Sequence, residues 1–573
     1  MTPYESKPWL AHYAPGHAET ISQDYADALS LFRAAVERAP QLAALLYFDG
    51  ALTYAELDAQ SSALACAWLE RGCARGDRIA IYLQNVPQFV IALVAAWKIG
   101  AIAVPINPMN RARELRVLLA DCGARVLVCH ASLHEEVVRP LLAEEACLAA
   151  ERAASGEAII KPIVMTTSAL DYQRRNDERL FAGMARPNAA AAMAATANQP
   201  DAEDLSTVIA AYLSRKPPAI ELRSDDVAML VYTSGTTGVP KGAMNTHGNV
   251  AFNAQVYRDW TGLREGAPIL GLAPLFHITG LVGHIAAAFI CAAPLVLAFR
   301  FEPGVMLDAI AEHQPEFTIG AITAFIALMN HPQATRAHFA SLRRIYSGGA
   351  PIPPSVIEAF RTRFGHYIHN GYGLTETSSP THMVPVGREA SVDPASGTLS
   401  IGVPVFNVES YIGDDEGRPL PPGEVGEIIS RGPMIVPGYW NKPQESAKAI
   451  VDGYFRTGDV GFMDASGGFY LVDRKKDMIN AGGYKVWPRE VEDVLYTHPA
   501  VREAAVVGVP DSYRGETVKA VVSLKPQTSV TPEDLVAYCK ARMAAYKYPR
   551  IVAIIDELPK TVTGKILRRA LRD

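Results

Sequence analysis

Residues 232–242 of this chain read Tyr-Thr-Ser-Gly-Thr-Thr-Gly-Val-Pro-Lys-Gly. Immediately before them, the apolar run from Val227 to Val231 predicts a buried strand. Soon after them, the stretch from Asn245 to Ala254 predicts the start of a helix. The local order is therefore a strand, a glycine-rich loop and a helix, and the rest of the chain is interpreted around it.

The composition of this loop indicates phosphate binding. Its three glycines let the backbone approach a ligand without a Cβ in the way. Its four aliphatic hydroxyls and its exposed amides offer donors to phosphate oxygens, and Lys241 adds a positive charge. It is not a Walker A loop, because the spacing differs and no Ser or Thr follows the lysine. A flexible surface turn would not require this combination of residues.

Length and charge limit the function classes. A chain of 573 residues holds roughly four domain-sized units. Its hydrophobic content of 49% with 20% charged residues is typical of globular proteins. A net charge of −6 argues against a nucleic-acid-binding surface. The seven cysteines contain no CxxC pair, so they predict neither a zinc site nor a disulfide framework.

Targeting signals point to a soluble, cytoplasmic protein. The polar segment from Met1 to Trp9 lacks the apolar core of a secretory signal. The final residues match no peroxisomal tripeptide. The longest apolar run, Ile285 to Phe299, is about five residues too short for a membrane span. It also contains Pro294, so a buried helix and strand are the better interpretation.

An alternation of strands and helices runs from Leu52 to Cys129. The predicted elements are a helix capped by Thr53, the strands 78–83, 101–106 and 125–129, and the helices 87–98 and 111–120. Such alternation predicts a parallel sheet covered by helices on both faces. A second α/β block spans residues 226–367. The expected fold class is α/β, with doubly wound sheets in a large N-terminal domain.

Two regions depart from this alternation. Residues 150–224 include the alanine-rich tract 189–197 and predict an insertion that packs on the surface or loops from it, without chemistry. Residues 409–431 have a β pattern with turn signals at Asp415-Glu416-Gly417 and 421–423, and predict a small β-barrel-like part.

The last hundred residues predict a small, mobile α+β domain. Strands are expected at 501–509 and 518–524, and Thr531 can cap a helix with proline in its first turn. The predicted domains are therefore 1–474, which contains the insertion, and 475–573. The charged stretch 473–476 would form the hinge.

Several motifs follow the loop in a fixed order. They are Ala273-Pro274-Leu275-Phe276-His277, Tyr346-Ser347-Gly348-Gly349-Ala350-Pro351, Asn370-Gly371-Tyr372-Gly373-Leu374-Thr375-Glu376, Tyr454-Phe455-Arg456-Thr457-Gly458-Asp459, Asp473-Arg474-Lys475-Lys476-Asp477, Asn480-Ala481-Gly482-Gly483-Tyr484 and Pro559-Lys560-Thr561-Val562-Thr563-Gly564-Lys565-Ile566. With the loop, they resemble the adenylate-forming enzymes, the superfamily of acyl-CoA synthetases, luciferases and peptide-synthetase adenylation domains. The resemblance covers roughly residues 30–573 apart from the insertion.

The resemblance implies an ATP site. Tyr372 would stack on adenine, Asn370 would bond its exocyclic amine, Asp459 would hold the ribose with help from Arg474, and Thr375 would reach the α-phosphate. The full set of expected ATP contacts is Thr233, Ser234, Gly235, Thr236, Thr237, Gly238, Lys241, Gly348, Gly349, Ala350, Asn370, Gly371, Tyr372, Gly373, Thr375, Asp459, Arg474 and Lys476.

The resemblance also implies Mg²⁺ and a catalytic lysine. Glu376 offers the hard carboxylate oxygen that Mg²⁺ prefers beside phosphates, and Thr236 is the second expected ligand. Lys565 matches the catalytic lysine of the family, and Thr236, Glu376 and His277 complete the expected catalytic set. Lys476 lies at the position of the family's hinge residue. Gly482, Gly483 and Tyr484 would border the channel for coenzyme A.

The acyl pocket is assigned to the segment after residue 275. By resemblance, Phe276 and His277 line the pocket and gate the thiol tunnel, and lining is favoured over catalysis for His277. Gly280, Gly283 and Ala287 fall at i, i+3 and i+7 of a predicted helix and leave one smooth face. Such a face fits either a tunnel for a linear acyl chain or tight helix packing, and the sequence leaves both open.

These features predict an ATP-dependent acyl-CoA ligase that resembles bacterial medium- and long-chain fatty acyl-CoA ligases. Its partners would be a small carboxylic acid, ATP and coenzyme A, without nucleic acid; a homodimer and peripheral membrane contact stay open. Alternatives are a ligase for aryl or other acids, an adenylating enzyme with another acceptor and a luciferase-like oxygenase. An amino-acid adenylation domain would carry an acid near Phe276, and an ATP-sensing pseudoenzyme would have lost Glu376 or Lys565.

Overall fold

The computed structural model describes residues 4–155, 160–184, 201–233, 240–350, 352–394, 397–474, 477–481, 484–511, 514–560 and 566–572. Within these ranges the strands form three sheets, of fourteen, seven and five strands. None of the helices in these ranges is long and apolar enough to cross a membrane.

The large sheet has a parallel half. Its strands are β1 (Ala43–Tyr47), β10 (Ile269–Leu270), β11 (Leu295–Leu297), β12 (Phe317–Gly320), β13 (Arg344–Gly348) and β14 (Ile368–Leu374). They lie in the order β14-β13-β12-β10-β11-β1 and pair in parallel. The carboxyl ends of parallel strands are where ligands bind in open α/β sheets.

The other half of the large sheet is antiparallel. It contains β15 (Ser379–Met383), β16 (Ser400–Pro404), β17 (Glu409–Gly413), β18 (Gly426–Arg431), β19 (Ile450–Val451), β20 (Tyr454–Met463) and β21 (Phe469–Arg474). Strand β2 (Gly50–Thr53) lies at the opposite edge of the sheet, antiparallel to β1. Strand β15 returns beside β14, and β16 to β21 extend the sheet beyond it. This half places β20, which carries Asp459, near the end of β14.

The seven-stranded sheet follows the order β7-β6-β5-β3-β4-β8-β9. Its strands are β3 (Arg78–Tyr82), β4 (Ile102–Pro105), β5 (Val126–His130), β6 (Ile163–Thr167), β7 (Glu203–Asp204), β8 (Val227–Thr233) and β9 (Lys241–Thr246). All neighbours pair in parallel except β8 and β9. The parallel sheet predicted over residues 78–129 is confirmed.

The C-terminal sheet begins after β21 ends at Arg474. It contains β22 (Ile479–Ala481), β23 (Tyr484–Val486), β24 (Val501–Asp511), β25 (Gly515–Leu524) and β26 (Ile551–Ile554). Its buried residues form apolar clusters separate from the main core. The division into domains 1–474 and 475–573 stays a prediction.

Helices cover the sheets. They are α1 (Ala28–Arg38), α2 (Tyr54–Glu70), α3 (Pro87–Lys98), α4 (Ala112–Cys122), α5 (Arg139–Ser155), α6 (Glu178–Phe181), α7 (Leu205–Tyr212), α8 (His247–Thr261), α9 (Pro303–His313), α10 (Ile322–Asn330), α11 (Pro354–Phe364), α12 (Pro443–Ala449), α13 (Pro488–Tyr496) and α14 (Pro532–Lys540). Every residue of α3 is buried, in one apolar core that includes residues of both larger sheets. Capping boxes begin α2 at Thr53 and α14 at Thr531, as predicted.

The strand–loop–helix interpretation of the opening stretch is wrong in one element. Residues Lys241–Thr246 form β9, which pairs antiparallel with β8 and brings Thr233 opposite Lys241. The helix begins only after Thr246, which caps α8. Strand β9 was not predicted because its Lys, Gly and Asn residues are poor strand formers.

The prediction of a surface insertion at residues 150–224 is also wrong for its described part. Strand β6 lies inside the seven-stranded sheet, beside β5, with a buried Met165. Helix α7 contributes Leu205 to the main core. The strand signal was weak because Lys161 and Pro162 interrupt the apolar run before Ile163. The tract 189–197 lies outside the described residues.

Candidate active site

The phosphate-binding stretch is described only at its two ends. Thr233 ends β8, and Lys241 begins β9 directly opposite it. The Thr233 hydroxyl donates a hydrogen bond to the carbonyl oxygen of Lys241 at 3.4 Å. The predicted contacts between these ends, Ser234, Gly235, Thr236, Thr237 and Gly238, lie outside the described residues, as does the proposed metal ligand among them.

Lys241 contacts two residues that the sequence did not suggest. Its Nζ lies 2.6 Å from Oε2 of Glu445 and 5.2 Å from the ring centroid of Tyr439. The hydroxyl of Tyr439 donates to Oε1 of Glu376 at 2.8 Å. Tyr439 therefore contacts both the proposed phosphate-binding lysine and the proposed metal ligand.

Tyr439 and Glu445 belong to a segment that we call the strap, residues 433–445. The strap lies along β9: the amide of Trp440 donates to the carbonyl of Gly242 at 2.8 Å, and the amide of Met244 donates to the carbonyl of Gly438 at 3.0 Å. These backbone bonds hold the strap beside Lys241. No local pattern marks it, because its partners are about 200 positions away in the chain.

Neighbouring charges and burial set the protonation states of Glu445 and Tyr439 in the strap. The hydrogen bond and charge of Lys241 lower the pKa of the Glu445 carboxyl. Burial, followed by the charge of Glu376, raises the pKa of Tyr439 well above its ordinary value. Tyr439 therefore stays protonated at neutral pH and offers a permanent donor to the Glu376 carboxylate.

Glu376 fits the role of a magnesium ligand. It lies in the 3-10 turn Thr375–Thr377 at the end of β14, and it is half-buried. Among the described residues no group of three or more His, Cys, Asp or Glu side chains surrounds it or any other point. Mg²⁺ bound with phosphates typically takes only one or two protein carboxylates, so a single acid is sufficient.

The predicted adenine contacts come from β13 and β14. A Cβ on Gly348 would lie 2.6 Å from the carbonyl oxygen of Gly371, so only glycine permits this strand contact. Gly349 has a φ of 77°, in the left-handed region, and Ala350 follows it as a half-buried residue. The side chain of Asn370 is buried and donates from Nδ2 to the carbonyl of Ser400 at 3.0 Å. An adenine amine would therefore need its Oδ1.

Tyr372 and Asp459 lie together although they are 87 residues apart. The hydroxyl of Tyr372 donates to Oδ2 of Asp459 at 2.9 Å, and both side chains are buried. Gly373 follows Tyr372 at the entry to the turn; a Cβ there would lie 1.9 Å from the carbonyl oxygen of Ser379. The backbone of Arg474 pairs with that of Asp459 across β20 and β21. Tyr372, predicted to stack on the base, and Asp459, predicted to bind the ribose, therefore lie next to each other.

The segment after β10 differs from the predicted smooth helix. It consists of a helical turn Ile278–Gly280, a π-helical stretch Leu281–Ala286 and a second turn Ala287–Ile290. Because the π stretch changes the angular spacing, Gly280, Gly283 and Ala287 do not share one α-helical face. The Nδ1 atom of His277 accepts from the amide of Thr279 at 3.3 Å and caps the first turn. Phe276 is buried.

Both glycines of this segment are tightly packed. A Cβ on Gly280 would lie 2.1 Å from the carbonyl oxygen of Pro274. A Cβ on Gly283 would lie 2.9 Å from Cζ of Tyr257 and 3.0 Å from Cγ2 of Ile319. Such close contacts are what tight helix packing, the second of the two alternatives, predicts. The role of the segment in the acyl pocket stays a prediction.

The residues on either side of the predicted catalytic lysine pair with each other. The amide of Leu567 donates to the carbonyl of Pro559 at 2.7 Å, and Lys560 forms a β-bridge with Ile566. The Lys560 ammonium lies 2.8 Å from a buried Glu503 carboxylate. Lys565 itself, Lys476, Gly482 and Gly483 lie outside the described residues. Tyr484 begins β23, with its backbone paired to Ala481.

Comparison with known families gives two matches that together span most of the chain. Residues 32–440 match the model of the family described as AMP-binding enzyme. Residues 490–565 match that of the AMP-binding enzyme C-terminal domain.

Curated relatives match nearly the whole chain. A long-chain-fatty-acid–CoA ligase of Bacillus subtilis is 34% identical over 572 residues, which covers 99% of this chain and 97% of the relative. A feruloyl-CoA synthase of an Amycolatopsis species is 35% identical over 533 residues, or 93% of this chain and 96% of the relative.

Solved structures share the fold. The anthranilate CoA ligase AuaEII in complex with anthranoyl-AMP superposes with a TM-score of 0.80 and 27% identity, covering 96% of this chain and 97% of that one. ATP-bound MatB from Rhodopseudomonas palustris superposes with a TM-score of 0.79 and 25% identity, covering 95% and 98%.

Proposed function

Since this chain belongs to the AMP-binding enzyme family and is an AMP-forming acid–CoA ligase, we propose that its acid is a medium- or long-chain fatty acid. The observation that carries this proposal is the full-length similarity to a long-chain-fatty-acid–CoA ligase. Membership in the family also confirms the resemblance to adenylate-forming enzymes that the motifs indicated.

The reaction has two half-reactions. In the first, a carboxylate oxygen of the acid forms a bond to the α-phosphorus of ATP, and pyrophosphate leaves with the electron pair of the broken P–O bond. In the second, the thiol of coenzyme A loses its proton and attacks the carbonyl carbon of the acyl-adenylate. AMP then leaves, and the thioester remains.

The first half-reaction requires charge stabilisation more than acid–base catalysis. A carboxylic acid with a pKa of about 4 to 5 is already ionised at neutral pH, so no general base is needed. Lys241, Lys565, Thr236 and Thr237 are the residues we assign to the phosphate charges. Mg²⁺ held by Glu376 and Thr236 would neutralise further phosphate charge. The contact of Tyr439 with Glu376 keeps that carboxylate oriented.

The nucleoside is assigned to the place where Tyr372 meets Asp459. Because Tyr372 donates to Oδ2 of Asp459, the carboxylate is held as an acceptor for ribose hydroxyls. Tyr372 follows Gly371, which pairs with Gly348 at the end of β13, and a flat base can approach the backbone of such glycines closely. Asn370, Gly348, Gly349 and Ala350 would complete the adenine site.

The second half-reaction requires shielding from water and orientation of the thiol. We assign this to the region 475–573, which has its own sheet and apolar clusters. Rotation about Lys476 would bring Gly482, Gly483 and Tyr484 to the thiol channel after Lys565 has served the first step.

A second candidate acid is aromatic. The similarity to a feruloyl-CoA synthase extends over nearly the full length and is as high as that to the fatty acid ligase. The close packing of Gly283 against Tyr257 and Ile319 gives no support to that segment as the wall of a long acyl tunnel.

A panel of acids separates the two candidates. Acetate, octanoate, palmitate, benzoate and ferulate are compared over the same range of concentrations for pyrophosphate release and for formation of the CoA ester. The proposal expects the highest kcat/KM with octanoate or palmitate. A maximum with ferulate or benzoate would replace the fatty acid by the aryl acid. Absence of any CoA ester would contradict the ligase assignment.

A further inference from the structure

The turn that carries Glu376 has an unusual backbone. It joins β14 to β15 through Thr375–Thr377, and the next two residues, Ser378 and Ser379, have φ values of 49° and 93°. Positive φ is unfavourable for residues with a Cβ. Two such residues in succession persist only where the surrounding structure holds the backbone in place.

Donors from outside the turn hold it. Each carbonyl oxygen of residues 375–378 accepts a hydrogen bond from another segment. The bonds run from Asn245 Nδ2 to Thr375 O at 2.9 Å, from Val436 N to Glu376 O at 2.9 Å, and from Asn253 Nδ2 to Thr377 O at 3.1 Å and to Ser378 O at 2.7 Å. Three of these four bonds come from two asparagine side chains.

Asparagine suits this task for a chemical reason. One Nδ2 group carries two hydrogens and can serve two acceptors, whereas Ser or Thr offers one hydrogen and an ionised Asp offers none. Asn245 uses its second hydrogen on Oγ of Ser378, at 2.8 Å. Asn245 and Asn253 are both fully buried, so water does not compete for these bonds.

The two asparagines also link the turn to the phosphate-binding side. Asn245 lies in β9, four residues after Lys241, and Asn253 lies in the second turn of α8. Asn249, midway between them, donates to the carbonyls of Pro433 and Ile435 at 2.7 and 3.2 Å, where the strap begins. The four-residue spacing places Asn249 and Asn253 on one face of α8, and Asn245 at the end of β9 adds a third amide. The three amides bond the two segments that flank the proposed phosphate site.

We infer that Asn245 and Asn253 are positioning residues for adenylation: they hold the strained turn so that Glu376 and Thr375 face the phosphates beside Lys241. This inference rests on the proposed function, because it assumes that Glu376 serves the metal–phosphate site. Neither asparagine would touch ATP or the acid.

The test uses Asn253→Ser and Asn245→Ser in the full-length enzyme. Both substitutions remove one of the two hydrogens and shorten the side chain. We expect pyrophosphate release to fall by about 10- to 100-fold, since small misplacement of a reacting group has effects of this order. The Mg²⁺ concentration for half-maximal rate should rise. Conversion of supplied acyl-adenylate and CoA to thioester should fall by a clearly smaller factor, because it uses Thr375 at the α-phosphate but does not use the metal site of Glu376.

Asn407→Ser is the matched control. Asn407 bonds the backbone of Ile21 through its side chain, and Asn407→Ser should leave the ratio of the half-reaction rates unchanged. Rates are expressed per folded molecule, from near-UV circular dichroism. Because the β8–β9 pairing uses backbone atoms, we expect Asn245→Ser to keep it, and this variant carries the test if Asn253→Ser does not fold. The inference is overturned if both variants lose the two half-reactions in equal proportion or match Asn407→Ser.

A Glu376→Gln variant measured in parallel separates this inference from the proposed function. If Glu376→Gln raises the Mg²⁺ requirement and the asparagine variants do not, the positioning inference fails alone. If Glu376→Gln leaves the Mg²⁺ requirement and pyrophosphate release unchanged, the assignment of Glu376 fails and the inference fails with it.

Discussion

The hydroxyl of Tyr439 donates a hydrogen bond to Oε1 of Glu376 at 2.8 Å. The same ring lies 5.2 Å from the ammonium of Lys241, which is paired with Glu445. One buried tyrosine thus joins the two charged residues to which we assign the phosphates and their metal ion. The contact connects the strap with the turn after β14, over 63 residues of sequence.

Replacement of Tyr439 by Phe removes this donor and keeps the ring. Because the outer partners of metal ligands typically contribute 10- to 100-fold in metal affinity or activity, we expect the half-saturating Mg²⁺ concentration to rise by about tenfold. Pyrophosphate release titrated with Mg²⁺ measures it. Tyr454→Phe is the matched control, since it breaks a Tyr–Glu bond at Glu409 away from the site. An unchanged Mg²⁺ titration in Tyr439→Phe would count against the assignment of Glu376.

Lys565→Ala should abolish adenylation and spare thioester formation. Removal of one charge contact to a transferring phosphoryl group costs on the order of 10² to 10³ in rate. Lys476→Pro should do the reverse, because a fixed φ at the hinge restricts domain rotation. Pyrophosphate release and thioester formation from supplied acyl-adenylate are measured separately. Equal loss of both activities in each folded variant would refute the alternation of domains.

Gly283→Leu should destabilise the protein without shortening the accepted acyl chain. The new side chain would collide with Tyr257 and Ile319, and overpacking of a core typically costs about 1–3 kcal/mol. Thermal unfolding and the acid panel are the two measurements. A variant of unchanged stability with a shortened chain profile would show instead that Gly283 lines the acyl tunnel.

Stability should fall in mild acid because several histidines are buried in the neutral form. Burial lowers the pKa of His382 and His284 to about 3 and of His130, His247 and His369 to about 4. These folded values lie below the ordinary 6.5. Below pH 6.5 the unfolded chain therefore binds protons at these histidines that the folded chain does not bind, and the free energy of unfolding falls. The contribution of these histidines to the free energy of unfolding is complete above pH 6.5 and is lost progressively toward pH 4.

The expected slope is up to about 1.4 kcal/mol per pH unit for each such histidine. Urea unfolding midpoints at about pH 7.5 and about pH 5 measure it. His382→Gln should reduce the slope of the free energy of unfolding against pH by the equivalent of up to one bound proton. A midpoint that does not change between the two pH values would contradict this account.

The local elements of the fold were predictable where the sequence carries a terminating signal. Helix α3 has the predicted bounds because proline begins it, and α2 and α14 begin at predicted threonine caps. Strand β9 and strand β6 were not predicted, because glycine, lysine and proline weaken their apolar pattern. Their strand conformation comes from pairing with β8 and β5, which is a long-range effect.

The candidate site shows the same limit. Glu376, Lys241, Tyr372 and Asp459 were predicted from motifs. The structure adds the bond of Tyr372 to Asp459 and the contacts of Tyr439 with Glu376 and Lys241. Tyr439 and Glu445 were not found, because their role depends on the strap returning to β9. The spacing of Asn245, Asn249 and Asn253 is visible in the sequence. Polar residues at every fourth position also occur on exposed helix faces, and only burial distinguishes the two cases.

The most direct test of the account is the fate of the carboxylate oxygen. The best acid of the panel is prepared with ¹⁸O in both carboxylate oxygens and incubated with ATP, Mg²⁺ and coenzyme A, and the nucleotide product is analysed by mass spectrometry. If the carboxylate attacks the α-phosphorus, AMP carries one ¹⁸O atom and the pyrophosphate carries none. Unlabelled AMP, or ADP together with labelled phosphate, would contradict the acyl-adenylate mechanism.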